Sequence, residues 1–296
     1  MFEERVIQGR RFSTEDLDQI RGLLSANPDW SRWRLSREIA QRWQWYSLSG
    51  QLKDMAARTL LLKLDQWGWI KLPERKRNPA RRLSAISGNS LGIAPSESIA
   101  TGLKELLPLK IVRVTPRQAD YHLFENYLVH HHYLGYRGPV GENVGYLVRD
   151  RVGRDLACVL FGAAAWKCAP RDRWIGWSPE HREQRLGWVA NNSRFLILPW
   201  VRVKFLASHI LGQIAKRIDA DWQSRYAHGL YLLETFVQAD RFRGTCYQAA
   251  NWIRAGQTTG RTRQDRHNRI NAPFKDIYLY PLGRRGAKEL CKSNLN

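Results

Sequence analysis

Residues 194–218 carry the clearest fold signal in the chain and read RFLILPWVRVKFLASHILGQIAKRI. The apolar run over 194–198 predicts a buried strand, and the apolar residues after position 206 recur at helical spacing as far as 218. A second strand is predicted over 229–237, and a second helix over 245–255. Strands that alternate with helices indicate a sheet covered by helices, so we expect an α/β or α+β fold.

This domain, the body, is expected to cover residues 109–296. A strand is predicted over 109–114, and Thr115-Pro116 after it predicts the start of a helix, because Pro suits the first helical position. The apolar runs 145–148 and 155–162, separated by a glycine-containing turn, predict a β-hairpin. A hairpin followed by strands that alternate with helices favours the same α/β or α+β class.

Residues 1–74 predict a separate helical domain, the head. Ser13 and Ser31 are expected to cap the first two helices, a third helix is expected over 51–67, and a strand over 69–73 would begin a wing. Three helices and a strand follow the order of a winged helix-turn-helix, whose third helix enters the major groove of DNA. A small helical protein-interaction module is the alternative interpretation.

Residues 75–108 predict a linker between the two domains. The segment begins with a basic run and becomes rich in Ser, Gly and Pro. Such a composition buries too little apolar surface to order itself. The basic run suits either a phosphate contact or plain solvation.

The net charge is the strongest global property of the chain. The sequence has 48 basic and 27 acidic residues, a net charge of +21. Such an excess attracts polyanions, and nucleic acid is the commonest polyanionic partner. We expect DNA, with RNA as the alternative. No apolar run approaches a membrane-spanning length and the first residues lack a signal-peptide pattern, so we expect a cytoplasmic location and no membrane partner.

The cysteine and histidine patterns do not predict a metal site. Cys158, Cys168, Cys246 and Cys291 form no C-x-x-C pair. His130, His131 and His132 are adjacent, and neighbouring side chains on a helix point in different directions, so the three cannot bind one metal ion together.

Several motifs of the body resemble the DruA family, which takes its name from a component of the Druantia anti-phage system. The motifs are HYLG at 132–135, NNSRFLILP at 191–199, LAS at 206–208, LLETFV at 232–237, RFRGTCY at 241–247, AANW at 249–252 and GR at 260–261. The resemblance extends over the whole chain, head included. It implies a role in anti-phage defence or beside a mobile element, possible partners among other defence proteins, and no defined chemistry.

A second resemblance concerns the fold alone. The order strand, long helix, strand, helix is similar to the latter half of a GNAT acyltransferase. In those enzymes a loop of backbone N–H groups at a helix N-terminus binds the pyrophosphate of acyl-CoA. The equivalent segment would be residues 199–207, which contain no glycine to let a backbone approach a phosphate. The resemblance therefore implies a GNAT-like sheet without assigning a cofactor.

Three residues are catalytic candidates. Glu234 lies among apolar residues of a strand, where burial would raise its pKa and suit a general base; a structural ion pair with an arginine such as Arg194 is the alternative. Tyr247 would act as a general acid, or as a nucleophile in a recombinase-like reaction, against the alternative of a core tyrosine. His132 is the histidine of the cluster that matches the family motif.

Basic residues near the predicted turns and on the third helix of the head are expected to contact phosphates, because guanidinium and ammonium groups suit them. Ordinary solvated charge is the alternative. The expected nucleic-acid-binding residues are Lys53, Arg58, Lys63, Arg194, Arg202, Lys204, Arg241, Arg243, Arg261 and Arg263.

Three hypotheses about function follow from these patterns. The first is a DNA-binding defence or mobile-element protein whose GNAT-like body acts on or modifies nucleic acid. The second is a transposase-like or nuclease-like enzyme that cleaves DNA, although no acidic metal-binding cluster is evident in the sequence. The third is a DNA-binding component without catalytic activity.

Overall fold

The computed structural model describes residues 5–7, 10–48, 50–74, 97–260, 273–283 and 286–291. The chain divides into two compact units between residues 94 and 95. The first corresponds to the head and the second to the body. Among the described residues, every helix is too short or too polar to span a bilayer.

The head contains a short hairpin and three helices. Strands β1 (Arg5–Ile7) and β2 (Arg10–Phe12) pair antiparallel and are followed by α1 (Thr14–Ala26), α2 (Arg32–Arg42) and α3 (Asp54–Gln66). Apolar side chains of all three helices form one core. The third helix is shorter at its start than the pattern predicts.

Serine caps open the first two helices, as the sequence predicts. The Ser13 hydroxyl accepts from the backbone N–H of Asp16, and the Asp16 carboxylate accepts from the N–H of Ser13. The Ser31 hydroxyl accepts from the N–H of Arg34. Each cap satisfies a helix-end donor that has no partner within the helix.

The strand expected over 69–73 is wrong, because residues 69–74 form no strand. Gly68 has a φ of +73°, which turns the chain back after α3. The N–H of Leu72 then donates to the Asp65 carboxylate at 2.9 Å, and the side chains of Ile70 and Leu72 enter the head core. These contacts fold the segment onto the head and leave the winged-helix interpretation a prediction.

The body is a mixed α/β domain, which confirms the expected fold class. Its helices are α4 (Leu103–Leu106), α5 (Ala119–His131), α6 (Ala169–Ile175), α7 (Pro179–Arg185), α8 (Leu206–Ala215), α9 (Ile218–Tyr226), α10 (Thr245–Ala249) and α11 (Gly286–Glu289). Its strands are β3 (Lys110–Val114), β4 (Asn143–Arg149), β5 (Asp155–Ala163), β6 (Val189–Ile197), β7 (Leu232–Gln238), β8 (Ile253–Gln257) and β9 (Lys275–Pro281). They form one sheet in the order β3-β4-β5-β6-β7-β9-β8.

Every neighbouring pair in this sheet is antiparallel except β6 and β7. The parallel pair needs a crossover connection, which α8 and α9 provide. The central strands β4 and β5 are almost wholly buried. The sheet therefore consists of two antiparallel parts that meet at one parallel junction.

Part of the expected linker packs onto the body. Ile99 is buried and forms a parallel bridge with Val201, and α4 buries Leu106 completely. Residues 97–108 therefore differ from the expected linker, because their few apolar side chains find partners in the body core. Residues 75–96 lie outside the described part of the chain.

Two helices of the body differ from the sequence pattern at their ends. Helix α5 begins at Ala119 instead of Pro116, because Thr115 and Gln118 close a turn in which the Thr115 N–H donates to the Gln118 side chain. The helix expected over 206–218 ends earlier, at Ala215, and a separate helix, α9, begins at Ile218. At this break the Arg217 side chain donates to the Ile111 carbonyl and to the Asp221 carboxylate.

The end of the chain also departs from the pattern. Helix α10 stops at Ala249, earlier than the expected residue 255, because Asn251 adopts a left-handed φ of +63°. Strand β8 follows it. The last strand, β9, lies between β7 and β8, and the sequence pattern did not predict it.

Candidate functional site

The parallel junction between β6 and β7 opens into a cleft. The two strands pair only from Val189 to Asn191 on β6, opposite residues 232–234 of β7. Beyond that point β6 follows β5 and β7 follows β9, so the two strands separate. A register shift at Ser193 marks a bulge where the separation starts, and such bulges commonly end pairing beside functional sites.

Three side chains close the narrow end of this cleft. The Tyr247 hydroxyl donates to Oδ1 of Asn192 at 2.7 Å, and the Thr235 hydroxyl donates to the backbone carbonyl of Asn192 at 3.0 Å. Nδ2 of Asn192 donates to the carbonyls of Leu160 and Arg194. These buried polar groups satisfy one another, which holds β6, β7 and α10 together at this point.

The wide end of the cleft is a cavity of about 510 Å³, here called the wedge cavity. The C-terminal end of α5 with residues 131–134 forms one wall, and residues 241–247 form another. Two arginines and two histidines line it, while none of the described residues that line it is acidic. A cavity with cationic and no anionic side chains favours an anionic ligand.

An arginine–aromatic cluster forms the mouth of the wedge cavity. The Arg241 guanidinium lies 4.6 Å from the centre of the Tyr133 ring, and the Phe242 ring meets that ring edge-on at 5.1 Å. Arg241, Phe242 and Arg243 are all exposed. No carboxylate among the described residues pairs with Arg241 or Arg243. Their charge is therefore open to a ligand.

His132 is neutral in this environment. Burial, reinforced by the nearby charges of Arg194 and Arg241, lowers the pKa of His132 to about 4. Its Nδ1 accepts a hydrogen bond from the backbone N–H of Leu134 at 3.2 Å. Because a backbone N–H can only donate, the ring proton resides on Nε2. His132 thus offers the cavity a hydrogen-bond donor, which suits stabilisation of negative charge better than proton abstraction.

Tyr247 lines the same cavity and keeps its proton. Burial raises the pKa of Tyr247 well above its usual range, and Cys246 reinforces this effect. The hydroxyl already donates to Asn192. Tyr247 is therefore a buried tyrosine with a satisfied hydroxyl, as the core-tyrosine alternative predicts, and it also lines the wedge cavity.

Glu234 lies outside the lining of the wedge cavity and forms a buried ion pair. Its carboxylate accepts from Nη1 of Arg171 at 2.8 Å and from the backbone N–H of Ala165 at 2.7 Å. Arg171 also contacts Asp172. Burial raises the pKa of Glu234, and the Arg171 charge opposes that rise. This arrangement favours the structural alternative, with Arg171 as the partner in place of Arg194; the catalytic role stays a prediction.

Arg194 supports the wall between two cavities. Its guanidinium donates to the carbonyls of Gly135 and Ser193, and burial lowers the pKa of the side chain. Together with Asn191 and Lys275 it lines a neighbouring cavity of about 390 Å³. Arg194 therefore holds loop 132–135 in place, and part of its charge still faces that second cavity.

Residues 198–205 connect β6 to α8 and occupy the position of the pyrophosphate loop implied by the GNAT resemblance. The backbone N–H of Val201 donates to Leu198, and that of Arg202 donates to Ile99. In return, the N–H of Ile99 donates to Trp200. The amides of Val201 and Arg202 therefore cannot also bind a pyrophosphate. The side chains of Arg202 and Lys204 are exposed.

The basic surface of the head lies mainly on α2, which the sequence reasoning missed. Of the residues expected on the third helix, Lys53 precedes α3, and Arg58 and Lys63 are half-buried. Helix α2 carries four arginines and one glutamate, whereas α3 has equal numbers of basic and acidic residues. The spacing of the exposed residues Trp33, Arg34 and Arg37 in the sequence could have revealed this face.

Aromatic and basic side chains alternate over residues 30–37, at the start of α2. The Arg34 guanidinium lies 4.7 Å from the Trp30 ring, and that of Arg37 lies 5.1 Å from the Trp33 ring. Trp33 is 54 % exposed, an unusual position for so large an apolar ring. These four residues, called the α2 face, combine positive charge with stacking surfaces.

Some expectations have no structural counterpart here. Arg261 and Arg263 lie outside the described residues. Within the described ranges, no group of three or more His, Cys, Asp or Glu side chains could hold a metal ion. All four cysteines are free thiols, and burial raises the pKa of Cys246, which lines the wedge cavity, to about 11.

Several acetyltransferases are similar to this chain among solved structures. A spermidine N-acetyltransferase from Vibrio cholerae, solved in complex with CoA and spermine, is 11 % identical and covers 59 % of this chain and 95 % of its own, with a TM-score of 0.38. A putative acetyltransferase from Acinetobacter baylyi is 12 % identical and covers 59 % and 92 %, with a TM-score of 0.37. No curated protein matches the chain.

The family comparison is more specific than these structural likenesses. The family described as Druantia protein DruA matches residues 68–282. This range contains all seven strands of the sheet and the whole lining of the wedge cavity, while most of the head lies outside it. The expected extension of the resemblance over the head is therefore not part of the match. Since the match spans well over half of the sequence, this chain belongs to the DruA family.

Proposed function

We propose that this chain is the DNA-binding component of a Druantia anti-phage system and that its body acts on DNA at the wedge cavity. The lining of that cavity carries the proposal: it includes Arg241 and Arg243 and, among the described residues, no carboxylate. A phosphate-bearing ligand satisfies such a site. The net charge of +21 supports the same partner, because it promotes association with any polyanion.

The head supplies a second contact with DNA through the α2 face. Arg34 and Arg37 would neutralise phosphates, and Trp30 and Trp33 give their guanidinium groups a fixed platform. The lysines and arginine expected on α3 add charge nearby. Contacts of this kind position a protein on DNA without reading its sequence.

The chemistry of the wedge cavity rests on donors and cations. Arg241 and Arg243 would hold the phosphate, and the Nε2–H of His132 would stabilise negative charge that develops on the substrate. Tyr247 would act as a proton donor only if its hydrogen bond to Asn192 opens. We propose modification of the nucleic acid as the reaction class.

A DNA-binding component without catalysis is the second candidate. The engagement of Glu234 with Arg171 and Ala165 favours it, because this carboxylate has no open path to a substrate. DNA cleavage of the transposase or nuclease type is the third interpretation, and no observation on the described residues favours it.

The experiment compares the binding of labelled DNA at increasing salt for the wild type and for R241A/R243A. We expect the double variant to bind about tenfold more weakly and to show a shallower salt dependence. R117A/R151A is the matched control, since it removes the same charge from two exposed residues that do not line the cavity. Equal losses in both variants, or no binding at low salt, would refute the proposal.

A second measurement separates the candidates. DNA incubated with the wild type and with H132N is digested to nucleosides and analysed by mass spectrometry. A new nucleoside that depends on His132 supports modification. Unaltered DNA, together with intact phage protection by H132N in cells, supports the component without catalysis, whereas magnesium-dependent nicking supports cleavage.

A further inference from the structure

We infer that the wedge cavity receives a single unpaired base of the bound DNA, which stacks on Tyr133 and Phe242 while Arg241 and Arg243 hold its phosphates. The inference rests on the proposed function and specifies its substrate as unpaired or extruded nucleotides. It depends on the size of the cavity, the aromatic groups at its mouth and the apolar side chains that line its interior.

The size of the cavity suits one nucleotide. A volume of about 510 Å³ lies within the range of pockets that enclose small ligands. A duplex cannot enter such a pocket, so DNA reaches it only through a base that has left the helical stack. Phosphates would stay at the mouth of the cavity, where the exposed Arg241 and Arg243 lie.

The mouth of the cavity presents stacking surfaces. Phe242 is 43 % exposed, and its ring meets Tyr133 edge-on at 5.1 Å. Arg241 covers the Tyr133 ring at 4.6 Å. Exposed aromatic rings among unpaired cations are typical of proteins that bind single strands, since every base has a face that can stack.

The lining of the interior is mixed, with apolar side chains beside polar ones. Phe195, Ile197 and Phe236 line it, and Asn192 and Tyr247 already satisfy each other. The Nε2–H of His132 and the hydroxyls of Ser193 and Thr245 add donors to this lining. The apolar side chains and the rings at the mouth accept the face of any base, so stacking by itself predicts weak base preference.

The test uses three DNA duplexes that differ at one position: fully paired, with one extra unpaired base, and with an abasic residue in place of that base. Affinities are measured by fluorescence anisotropy at one fixed salt concentration. We expect the wild type to bind the duplex with the unpaired base about tenfold more tightly than the other two, as stacking of one base provides.

Variants at the mouth identify the site. F242A and Y133A should bind the duplex with the unpaired base about tenfold more weakly than the wild type does, so that the ratio of its affinity to that of the paired duplex falls to about one. F274A is the matched control, because Phe274 is also exposed, at 57 %, and does not line the cavity. Phe242 is exposed enough that its truncation leaves the fold intact, so this variant tests the inference even if Y133A unfolds.

The outcomes separate this inference from the proposed function. Binding of all three duplexes with equal affinity overturns the inference and leaves DNA binding in place. Loss of the preference in F274A as well as F242A overturns it too. A free mononucleotide that displaces the DNA at its own micromolar affinity assigns the cavity to a soluble nucleotide and also overturns it. No binding to any duplex removes both proposals.

Discussion

The hydroxyl of Tyr247 on α10 donates a 2.7 Å hydrogen bond to Oδ1 of Asn192 on β6, across the point where β6 and β7 separate. Both side chains are buried. One bond therefore joins two elements that lie on opposite sides of the wedge cavity. The shape of the cavity therefore depends on Tyr247, for which the sequence suggested a catalytic role but no structural link to β6.

Replacement of Tyr247 by Phe should lower the free energy of unfolding by about 1–3 kcal/mol, because Asn192 Oδ1 loses its donor in a buried place. Urea unfolding measures this change. Y280F is the control, since no hydrogen bond of the Tyr280 hydroxyl is found among the described residues. If Y247F leaves the stability unchanged but abolishes phage protection, Tyr247 has a chemical role instead.

Removal of the Glu234 carboxylate should strongly destabilise the fold, since the buried Arg171 guanidinium would lose one of its two carboxylate partners. We expect E234A to lower the free energy of unfolding by about 3–5 kcal/mol. R254A, which breaks the exposed pair with Asp276, should cost less than about 1 kcal/mol in the same denaturation experiment. E234Q tests catalysis: a folded, DNA-binding E234Q that loses phage protection would restore the catalytic role of this carboxylate.

Gly244 should not tolerate a side chain. Its φ is +67°, and a Cβ atom there would lie 2.6 Å from the Tyr278 hydroxyl. The backbone strain of a positive φ and the clash with Tyr278 are two separate causes of destabilisation. G153A measures the strain alone, because Gly153 also has a positive φ, of +96°, but open space around it. We expect G153A to lose about 1 kcal/mol and G244A about 2–4 kcal/mol in urea unfolding. Equal losses would show that Tyr278 simply moves aside.

The stability of the fold should depend on His132 between pH 6.5 and pH 4. Burial and the nearby arginines lower the pKa of His132 to about 4, whereas the unfolded residue keeps a pKa near 6.5. The unfolded chain therefore takes up the proton first as the pH falls. This linkage lowers the free energy of unfolding across that range by up to about 3 kcal/mol.

The comparison with H132N isolates this effect, because Asn can still accept from the Leu134 N–H. The difference in unfolding free energy between wild type and H132N should shrink or reverse as the pH falls from 6.5 to 4. His228 is the control of opposite sign: burial opposes its protonation, but the hydrogen bond to Glu142 outweighs this and raises its pKa. Its contribution is therefore present below pH 6.5 and is lost as the pH rises through the raised value.

The α2 face should contribute to DNA affinity through counterion release. R34A/R37A should reduce the slope of log affinity against log salt by about 2, one for each lost phosphate contact. R42A is the control, because Arg42 pairs with Glu38 and lies about two and a half turns beyond Trp33, on the other side of the helix. If K53A/K63A reduces this slope more than R34A/R37A does, the DNA contact lies at α3 and the residue before it, as the sequence predicts.

Local patterns predicted the elements whose residues interact mainly with their neighbours in sequence. The strand at 194–198, the hairpin around Gly153 and the serine caps of α1 and α2 all follow from apolar periodicity, turn chemistry and capping, and the structure contains them. The same patterns missed β9, because its place between β7 and β8 depends on pairing with strands from other parts of the chain. The break at Arg217 likewise depends on the Ile111 carbonyl, far away in sequence.

The candidate site was predictable in composition but not in arrangement. The motif residues His132, Arg241, Arg243 and Tyr247 do meet at one cavity. Glu234 belongs to the same strand as Thr235, yet it lies apart from the cavity lining and pairs with Arg171. Glu234 is still paired with Asn191 at the end of the β6–β7 junction, whereas Thr235 follows the point where the two strands separate. One position in sequence therefore separates the cavity from the buried ion pair.

Composition and periodicity alone were enough to establish a basic chain with a helical head and a mixed α/β body, because charge adds up over residues and helical or strand patterns act over a few neighbours. Folding in three dimensions chose Arg171 over Arg194 as the partner of Glu234 and separated β6 from β7 after only three paired residues. Both outcomes depend on residues distant in the chain. No local pattern contains the distances that decide such contacts.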